Sequence, residues 1–199
     1  MTKPLSDYVA IDCEMVITTK QGFASENIAL ARVAVVNHDG KVVYESFVHV
    51  HPDCVEDYCT KSSGVRASDL VDAPKFEDVQ AKVREVIRGK IVIGHALFND
   101  LAALKIRLPV ERTRDTALYY PIRHRMQVLK EGQDPALVKV AKDVLGRDIQ
   151  MGDEGHSPVE DAKAAFDVYL AHREGWEEAL TEGKDVTSAI PNHYVDWYF

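Results

Sequence analysis

Apolar and β-prone residues dominate the first fifty positions and predict a series of strands. Residues 8–16 form an apolar run that is broken only by Asp12 and Glu14. These two acids lie two residues apart, so they share one face of a strand. Two further β-rich runs are joined by an Asn-His-Asp-Gly turn, and they cover residues 30–36 and 41–50. The chain is therefore predicted to begin with an antiparallel meander.

Beyond residue 70 the apolar residues recur at spacings of three and four, which is typical of amphipathic helices. A helix carrying Asp100 is predicted to begin after Asn99 as its N-cap and to end near Pro109. For the last helix, Ser157 is the expected N-cap and Glu160 stands at the capping-box position. The other predicted elements are helices at 74–88, 135–145 and 158–173 and a buried strand at 91–93. This order predicts an α/β or α+β domain with a mixed sheet.

The bulk properties fit a single domain with a tail. The chain has 199 residues, 46% of them hydrophobic, which suffices for one buried core. We assign residues 1–173 to the domain and 174–199 to a C-terminal helix and aromatic tail. The tail is expected to pack on the domain, with a partner-binding or dimer contact as the alternative. Without a secretory signal pattern or a membrane-length apolar run, the protein is expected to be soluble, intracellular and not bound to membranes.

Cysteine usage and charge narrow the chemistry. Three cysteines without zinc spacing indicate a reduced compartment, and Cys13 is interpreted as a small buried hydrophobe. A net charge of -8 argues against broad coating of nucleic acid, although a metal site can concentrate negative charge. Residues 105–130 instead carry seven lysines and arginines against two acids. This basic stretch is either a phosphate-contacting patch or an ordinary solvated surface.

The acidic residues suggest a metal site for phosphoryl chemistry. Such chemistry uses two divalent ions about 3.5 to 4 Å apart, held by converging carboxylates. Asp12 and Glu14 supply two carboxylates from one strand, and oxygen ligands select Mg²⁺ or Mn²⁺. Asp100 and Asp161 lie near helix starts, where an acid is also favoured by the helix dipole alone. Their position after a strand or loop favours a functional role.

His156 is the candidate base. It follows the Gly-Asp-Glu-Gly loop and precedes Asp161 by five residues. Imidazole titrates near neutral pH and can therefore accept a proton from water. A lone histidine in a polar loop is otherwise an ordinary surface residue, so the interpretation depends on its combination with the four acids.

Taken together, YVAIDCEMV, ALARVAVVN, KIVIGHALFNDLAALK, RDT and GHSPVEDAKAAFDVY resemble the motifs of the DEDDh 3′-to-5′ exonuclease superfamily. The similarity is greatest to the RNA exonuclease 4 and interferon-stimulated exonuclease group. It extends over residues 8–169 and implies a ribonuclease-H-like fold, a mixed five-stranded sheet flanked by helices.

The resemblance also implies roles for individual residues. Asp12, Glu14, Asp100 and Asp161 would bind two divalent ions, Mg²⁺ or Mn²⁺, and His156 would be the general base. The implied substrate contacts are Met15, Val16, His95, Phe98 and Asn99. Arg32 and Asp115 would hold the metal ligands in position without binding the ions themselves. The implied substrate is single-stranded nucleic acid with a free 3′ end, RNA favoured, cleaved to nucleoside 5′-monophosphates. Nuclear or nucleolar placement follows from the same resemblance, with the cytoplasm as the alternative.

Two departures from the family pattern leave the substrate open. The family usually has glycine after CEMV, where this chain has Ile17, so the loop that follows is expected to differ in shape. Cys59 stands where an arginine able to contact the sugar is common. A preference for DNA is therefore an alternative to an exoribonuclease. A non-catalytic nucleic-acid-binding module on the same fold is a separate alternative. The residues carry no indication of an oligomeric state.

Overall fold

A computed structural model describes residues 3–19, 27–128, 130 and 132–199. Over these residues a mixed sheet has the strand order β3-β2-β1-β5-β6, with β4 paired to the end of β1. The strands are β1 (Tyr8–Thr18), β2 (Ile28–Asn37), β3 (Val42–Phe47), β4 (Val55–Asp57), β5 (Ile91–Gly94) and β6 (Thr113–Asp115). Strand β1 pairs antiparallel with β2 and parallel with β5. The described sheet thus has six strands rather than the predicted five.

Helices cover both faces of this sheet. The bounds are α1 (Thr60–Ser63), α2 (Ala67–Val71), α3 (Phe76–Val86), α4 (Leu97–Leu104), α5 (Tyr120–Arg125), α6 (Leu137–Leu145) and α7 (Pro158–Thr181). Among the described residues, none of these helices combines the length and apolar character that crossing a membrane requires. The loop predicted to differ in shape after Ile17 lies largely at residues 20–26, outside the described residues.

Alternating side chains of β1 contribute to two cores. Val9, Ile11 and Cys13 pack into the core that contains α3 and α4. Tyr8 and Ala10 point the other way, into the core that contains α7. Because successive residues of a strand face opposite sides, Asp12 and Glu14 continue the α7 face. The strand is therefore apolar on both faces at its start and acidic on one face at its end.

Helix α4 begins earlier than predicted, so the assignment of Asn99 as N-cap is wrong. The helix starts at Leu97. A side chain distant in sequence caps it, because the carboxylate of Asp115 accepts the backbone N–H groups of Ala96 and Leu97 at 2.9 and 2.8 Å. Such a cap satisfies amide groups that a helix start leaves without partners. The effect is to fix the turn that carries Asp100.

Helix α7 continues past the predicted end at residue 173 to Thr181. Tertiary contacts account for the extension. The ring of Trp176 is buried and stacks on Tyr119 with a centroid distance of 3.8 Å. Glu177 accepts a hydrogen bond from Arg114 at 2.7 Å inside the fold. One helix therefore crosses the division that the sequence suggested between domain and tail.

The start of α7 differs from the predicted capping box. Ser157 is the N-cap residue, but its side chain makes no capping hydrogen bond. The Glu160 carboxylate does not turn back to the N-cap; it accepts the backbone N–H of Gln150 at 2.8 Å. The sequence pattern was therefore right about the boundary and wrong about the hydrogen bonds.

The aromatic C-terminal segment packs beside α4. Tyr194 is buried, and its ring lies 4.8 Å from that of Phe98 on α4. The backbone N–H of Leu108 donates to the Trp197 carbonyl at 3.0 Å, and that of Phe199 donates to the Leu108 carbonyl at 3.2 Å. The end of the chain therefore supports the helix that carries Asp100.

Candidate active site

The end of β1 supplies two carboxylates on the α7 face of the sheet. The pairing of β1 with β2 changes register between Glu14, which lies opposite Arg32, and Met15, which lies opposite Leu30. Such a bulge bends a strand and re-aims its side chains, and bulges are frequent beside active sites. Glu14 is buried and Asp12 is partly buried. Two acids are thus held in a largely apolar setting.

Two helices bring the remaining acids to the same place. Asp100 lies in the first turn of α4 and is buried. Burial raises the pKa of Asp100 well above its usual value, and hydrogen bonding by the thiol and the backbone of Cys13 on β1 opposes the rise. Asp161 lies in the first turn of α7 and is also buried. Residues 12, 14, 100 and 161, separated by up to 149 positions along the chain, therefore meet at the end of β1.

The tightest part of this cluster contains the histidine. Glu14, His156 and Asp161 each offer one ligand atom, and these atoms all lie within 4.8 Å of one another. Nδ1 of His156 lies 3.8 Å from Oδ2 of Asp161. The imidazole is partly exposed, whereas the carboxylate of Asp161 is buried. The histidine can therefore exchange a proton with solvent while it faces the acids.

All four acids lie close enough to raise one another's pKa values. Burial raises the pKa of Asp12 well above its usual value, and the charges of Asp100, Asp161 and Glu14 raise it further. Burial, followed by the charges of Asp161 and Asp100, raises the pKa of Glu14 to about 9, although Arg32 lowers it. Like charges held together out of water disfavour ionisation in this way. The cluster lacks enough positive charge of its own to balance four carboxylates.

The donor set fits divalent cations. Oδ1 of Asp161 is buried and, among the described residues, has no hydrogen-bond partner. An unpartnered buried carboxylate oxygen is costly unless a cation or another group satisfies it. The other groups are carboxylates as well, and hard oxygen donors suit Mg²⁺ and Mn²⁺. Asp12, Glu14, Asp100 and Asp161 are thus able to hold divalent ions, which would offset their repulsion.

Comparison with known proteins gives the family. A model of the exonuclease family matches residues 9–169, which include all four acids and His156. The chain belongs to the exonuclease family.

Individual relatives agree with this membership. RNA exonuclease 4 of Mycosarcoma maydis is 46% identical over 178 residues, which cover 89% of this chain and 45% of the relative. Interferon-stimulated 20 kDa exonuclease-like 2 of Homo sapiens is 40% identical over 172 residues, covering 86% of this chain and 47% of the relative. The predicted resemblance to this group is confirmed. The chain spans less than half the length of these curated relatives.

Solved structures confirm the ribonuclease-H-like fold. The Saccharomyces cerevisiae Pan2 pseudoubiquitin hydrolase-RNA exonuclease module in complex with A7 RNA superposes with a TM-score of 0.69. The aligned region is 27% identical and covers 89% of this chain and 30% of that chain. The Neurospora crassa Pan2 catalytic unit gives a TM-score of 0.67 at 22% identity, covering 92% of this chain and 29% of that chain. This exonuclease-family domain therefore has a mixed sheet flanked by helices, as predicted.

Two of the predicted substrate contacts occupy structural positions in this exonuclease-family fold. Nε2 of His95 lies 2.6 Å from the carbonyl of Pro135, and Nδ1 lies 2.9 Å from Oγ1 of Thr116. Burial lowers the pKa of His95 to about 4, so the ring is neutral. Phe98 is only 3% exposed and packs in the core against Tyr194. Both side chains therefore hold the fold beside the site, and their contact with substrate stays a prediction.

The other three predicted substrate contacts differ in how exposed their side chains are. The side chain of Val16 is 1% exposed and packs with Ala31 and Leu70, which leaves only its backbone to meet a ligand. Its contact with substrate stays a prediction. Met15 and Asn99 are partly exposed, and their contact with substrate stays a prediction.

Arg32 and Asp115 lie beside the ligand set, where they were expected to support it. Arg32 pairs with Glu45 on β3 and lowers the pKa of Glu14, its cross-strand neighbour. Asp115 accepts three backbone N–H groups, from Ala96, Leu97 and Ala117, and caps α4. Burial raises the pKa of Asp115 to about 7, while those hydrogen bonds oppose the shift. Each acts on a ligand through strand pairing or helix capping.

Two contributors to the site were missed from the sequence. Nε2 of Gln150 donates to Oδ2 of Asp161 at 2.8 Å, which leaves Oδ1 free for another partner. Cys13, interpreted only as a small buried hydrophobe, also lowers the pKa of Asp100. Neither residue stands in a pattern that would have revealed this, because each interaction joins different elements of the fold.

The basic stretch at residues 105–130 divides into arginines that hold the fold and side chains that are exposed, namely Lys105, Arg107, Arg125 and Lys130. Arg112 donates to the backbone carbonyls of Ile87 and Lys90. Arg114 is buried against Glu177, and Arg123 is buried and donates to Asp134. The guanidinium groups of these three arginines hold the fold together, and a phosphate-contacting role for the four exposed basic residues stays a prediction.

A different basic side chain lies beside the site. A groove of about 310 Å³ opens next to His156, and Arg66 lines it together with Arg32. Arg66 is exposed. A guanidinium at the rim of such a groove can contact a phosphate of a bound strand.

Metal-free protein should lose stability as the pH rises above about 4.5, because the pKa of Glu14 increases on folding from 4.5 to about 9. In that window the folded state binds more protons than the unfolded state, so the free energy of unfolding falls with increasing pH. Each pKa unit corresponds to about 1.4 kcal/mol before partial exposure and relaxation reduce it. Urea unfolding in EDTA between pH 5.5 and 8.5 measures the slope.

Glu14→Gln is the matched control for that slope, since the amide keeps the shape and does not titrate. Its unfolding free energy should depend less on pH than that of the wild type, and saturating Mg²⁺ should also reduce the wild-type slope. Equal slopes for the two proteins in EDTA would refute the assigned electrostatics of Glu14.

Proposed function

We propose that this domain is a metal-dependent 3′-to-5′ exonuclease that removes nucleotides from single-stranded RNA as nucleoside 5′-monophosphates. One observation carries the proposal: four carboxylates and one imidazole share a partly exposed cluster at the end of β1. Membership of the exonuclease family supports it. A purely structural cluster would be expected to contain balancing cations, and here the acids outnumber them.

The proposed cofactors are two divalent ions, Mg²⁺ or Mn²⁺, held by Asp12, Glu14, Asp100 and Asp161. When bound, the ions would supply positive charge that stabilises the negative charge on the phosphate oxygens in the transition state and promotes ionisation of the attacking water. The protein contributes the fixed positions of the carboxylates. Gln150 orients Asp161 through its 2.8 Å hydrogen bond, and Asp115 fixes the first turn of α4 and with it Asp100.

His156 is proposed as the general base. Its position 3.8 Å from Asp161 allows the imidazole to receive a proton from water held among the carboxylates. Partial exposure then allows the proton to pass to solvent. The same distances would also allow the imidazole to be a direct metal ligand, because His156 belongs to the 4.8 Å group. The two roles predict different metal affinities for a variant that lacks the ring.

RNA is the preferred substrate in this proposal. The relatives named RNA exonuclease 4 and the Pan2 module in complex with A7 RNA support it. The groove beside His156, with Arg66 at its side, fits the phosphate backbone of a single strand. Cys59 leaves open the second candidate, a DNA exonuclease, because by the family resemblance it stands where an arginine able to contact the sugar is common. A non-catalytic binding module is the third candidate, and the complete acid set argues against it.

Purified protein should shorten 5′-labelled single-stranded RNA from its 3′ end in Mg²⁺ or Mn²⁺. EDTA should stop the reaction, because the carboxylates alone repel the phosphate. Gel analysis of the ladder and chromatography of the products measure direction and chemistry. Deoxyribonucleotide oligomers of the same sequence, tested in competition, should be degraded more slowly.

Circular RNA is the matched control, since it offers the same phosphodiesters without an end and should stay intact. Cleavage of the circle would show an endonuclease, and faster removal of DNA would favour the second candidate. Retention of RNA without cleavage in Mn²⁺ would favour the binding module.

Cellular placement is a separate proposal. The family resemblance favours the nucleus or nucleolus, with the cytoplasm as the alternative. A fluorescent fusion of the full chain, imaged with nuclear and nucleolar markers, distinguishes them.

A further inference from the structure

The backbone of His156 is attached to a segment that contributes neither a metal ligand nor the base to the proposed site. Its N–H donates to the carbonyl of Ser62 at 2.7 Å. Ser62 belongs to α1, within residues 57–64, the segment that contains Cys59. The hydrogen bond joins residues that are 94 positions apart. The loop that carries the candidate base is thus fixed from outside.

Two glycines make this attachment possible. A Cβ on Gly155 would lie 2.2 Å from the backbone nitrogen of Gly64 and 2.7 Å from the carbonyl oxygen of Thr60. A Cβ on Gly64 would lie 2.8 Å from the carbonyl oxygen of Glu154. Both glycines also have positive φ, +87° and +67°, which side-chain-bearing residues rarely adopt. The two backbones therefore meet in a space that excludes any side chain at either position.

The segment under the loop is internally rigid. The Thr60 hydroxyl donates to the Val65 carbonyl at 2.6 Å, and the Ser63 hydroxyl donates to the Tyr58 carbonyl at 2.8 Å. The backbone N–H of Cys59 donates to the Asp57 carboxylate at 2.8 Å. We call residues 57–65 the α1 platform. Its side chains are used to hold its own backbone, which gives the loop a fixed support.

The α1 platform is also connected to the ligand strand. It follows β4 directly, and β4 pairs with the end of β1 through Ile17 opposite Asp57 and Thr18 opposite Val55. Glu14 lies three residues before Ile17 on the same strand. A continuous path of backbone contacts therefore runs from Glu14 through β4 and the α1 platform to His156.

We propose that the α1 platform is a positioning element for His156, and that the contact between Gly64 and Gly155 sets the distance of the imidazole from Glu14 and Asp161. The proposal rests on the proposed function for its kinetic consequence. It assigns residues 57–65 a role in placing the base, in addition to any contact that Cys59 makes with a nucleotide.

Gly155→Ala should lower kcat by about 100-fold, because small displacements of a catalytic group are costly. KM for RNA should change by less than kcat, although Gly155 also lines the groove beside His156. Gly152→Ala is the matched control in the same loop, since its Cβ would meet no atom nearer than 3.9 Å. Gly89→Ala controls for positive φ alone, because it has φ of +73° and open space around it. Both controls should keep wild-type kcat.

A general loss of structure would not depend on the imidazole, whereas mispositioning does. In a His156→Ala background, Gly155→Ala should therefore reduce the residual rate by less than about twofold. Hydrogen exchange of the His156 amide supplies a readout without catalysis. It should be faster in Gly155→Ala than in the wild type, because the 2.7 Å hydrogen bond to Ser62 is displaced.

If Gly155→Ala does not fold, Thr60→Val tests the same element without adding an atom to the contact. Removal of the hydroxyl that holds Val65 should lower kcat by about tenfold, and the loss should again vanish without His156. Wild-type kcat and amide protection in these variants, or equal losses with and without the imidazole, would overturn the proposal. An inactive wild type would instead refute the proposed function, and amide exchange would still decide the positioning role.

Discussion

Asp12→Asn should abolish nuclease activity and at the same time raise the thermal stability of the metal-free protein. Activity should fall by on the order of 1000-fold or more, because the change removes a charged ligand from a site that depends on several. Stability should rise because burial and three neighbouring carboxylates disfavour the ionised form of Asp12. A gain of about 1 kcal/mol corresponds to roughly 2–4 °C for a domain of this size.

The opposite signs of these two effects make the test specific. A variant that loses activity through misfolding would also melt at a lower temperature. Thermal melts in EDTA and in Mn²⁺, beside RNA degradation rates, measure both effects, and Mn²⁺ should stabilise the variant less than the wild type. Asp72→Asn is the matched control, because Asp72 is exposed at the end of α2 and should change neither property. Substantial activity in Asp12→Asn, or a lower melting temperature in EDTA, would contradict the assignment.

The elements that could be predicted from the sequence are those whose signal is local. The acids of β1 follow from alternation within one strand, and the hairpin follows from the Asp-Gly turn. Asn37 supports that turn, since its side-chain oxygen accepts the N–H groups of Asp39 and Lys41, and Gly40 has φ of +70°. Each of these features depends on neighbours within a few residues, so a single sequence contains the information.

The elements that were missed depend on distant partners. Strands β4 and β6 have three residues each, too few for a periodic pattern, and they exist because β1 and β5 offer free edges. Helix α4 begins at Leu97 because Asp115, far along the chain, caps it. The structural role of Arg114 was not visible in the sequence for the same reason, since its partner Glu177 lies 63 residues away.

The candidate site shows the same division. Its acids and histidine were predicted from residue type, spacing and resemblance, and the structure brings them into one neighbourhood. The orienting contacts were not predicted. Gln150 acts through a hydrogen bond to Asp161 across a loop, and the α1 platform acts through one that joins residues 94 positions apart. The residues of the candidate site could therefore be predicted from the sequence, whereas the hydrogen bonds that orient them could not.

His156→Ala should lower kcat by about 100- to 10,000-fold, the usual contribution of a positioned general base, while the affinity for Mn²⁺ stays near that of the wild type. The expectation follows from geometry, because the ring lies beside Asp161 but is partly exposed, as a group that releases protons to solvent must be. Single-turnover RNA cleavage measures the first quantity, and Mn²⁺ titration by calorimetry measures the second. His172→Ala is the matched control, since this histidine lies elsewhere on α7 and its Nδ1 contacts the Val168 carbonyl.

The Mn²⁺ affinity separates the two roles that the 4.8 Å group allows for His156. A general base acts on water, so removal of the ring leaves four carboxylates to hold the ions, and activity is lost with binding retained. A metal ligand contributes directly to binding, so its removal should weaken Mn²⁺ affinity and activity together, and higher Mn²⁺ should restore part of the rate. His156→Gln sharpens the comparison, because its amide oxygen can still ligate a cation but cannot accept a proton at neutral pH. Recovery of activity in His156→Gln at high Mn²⁺ would contradict the general-base assignment.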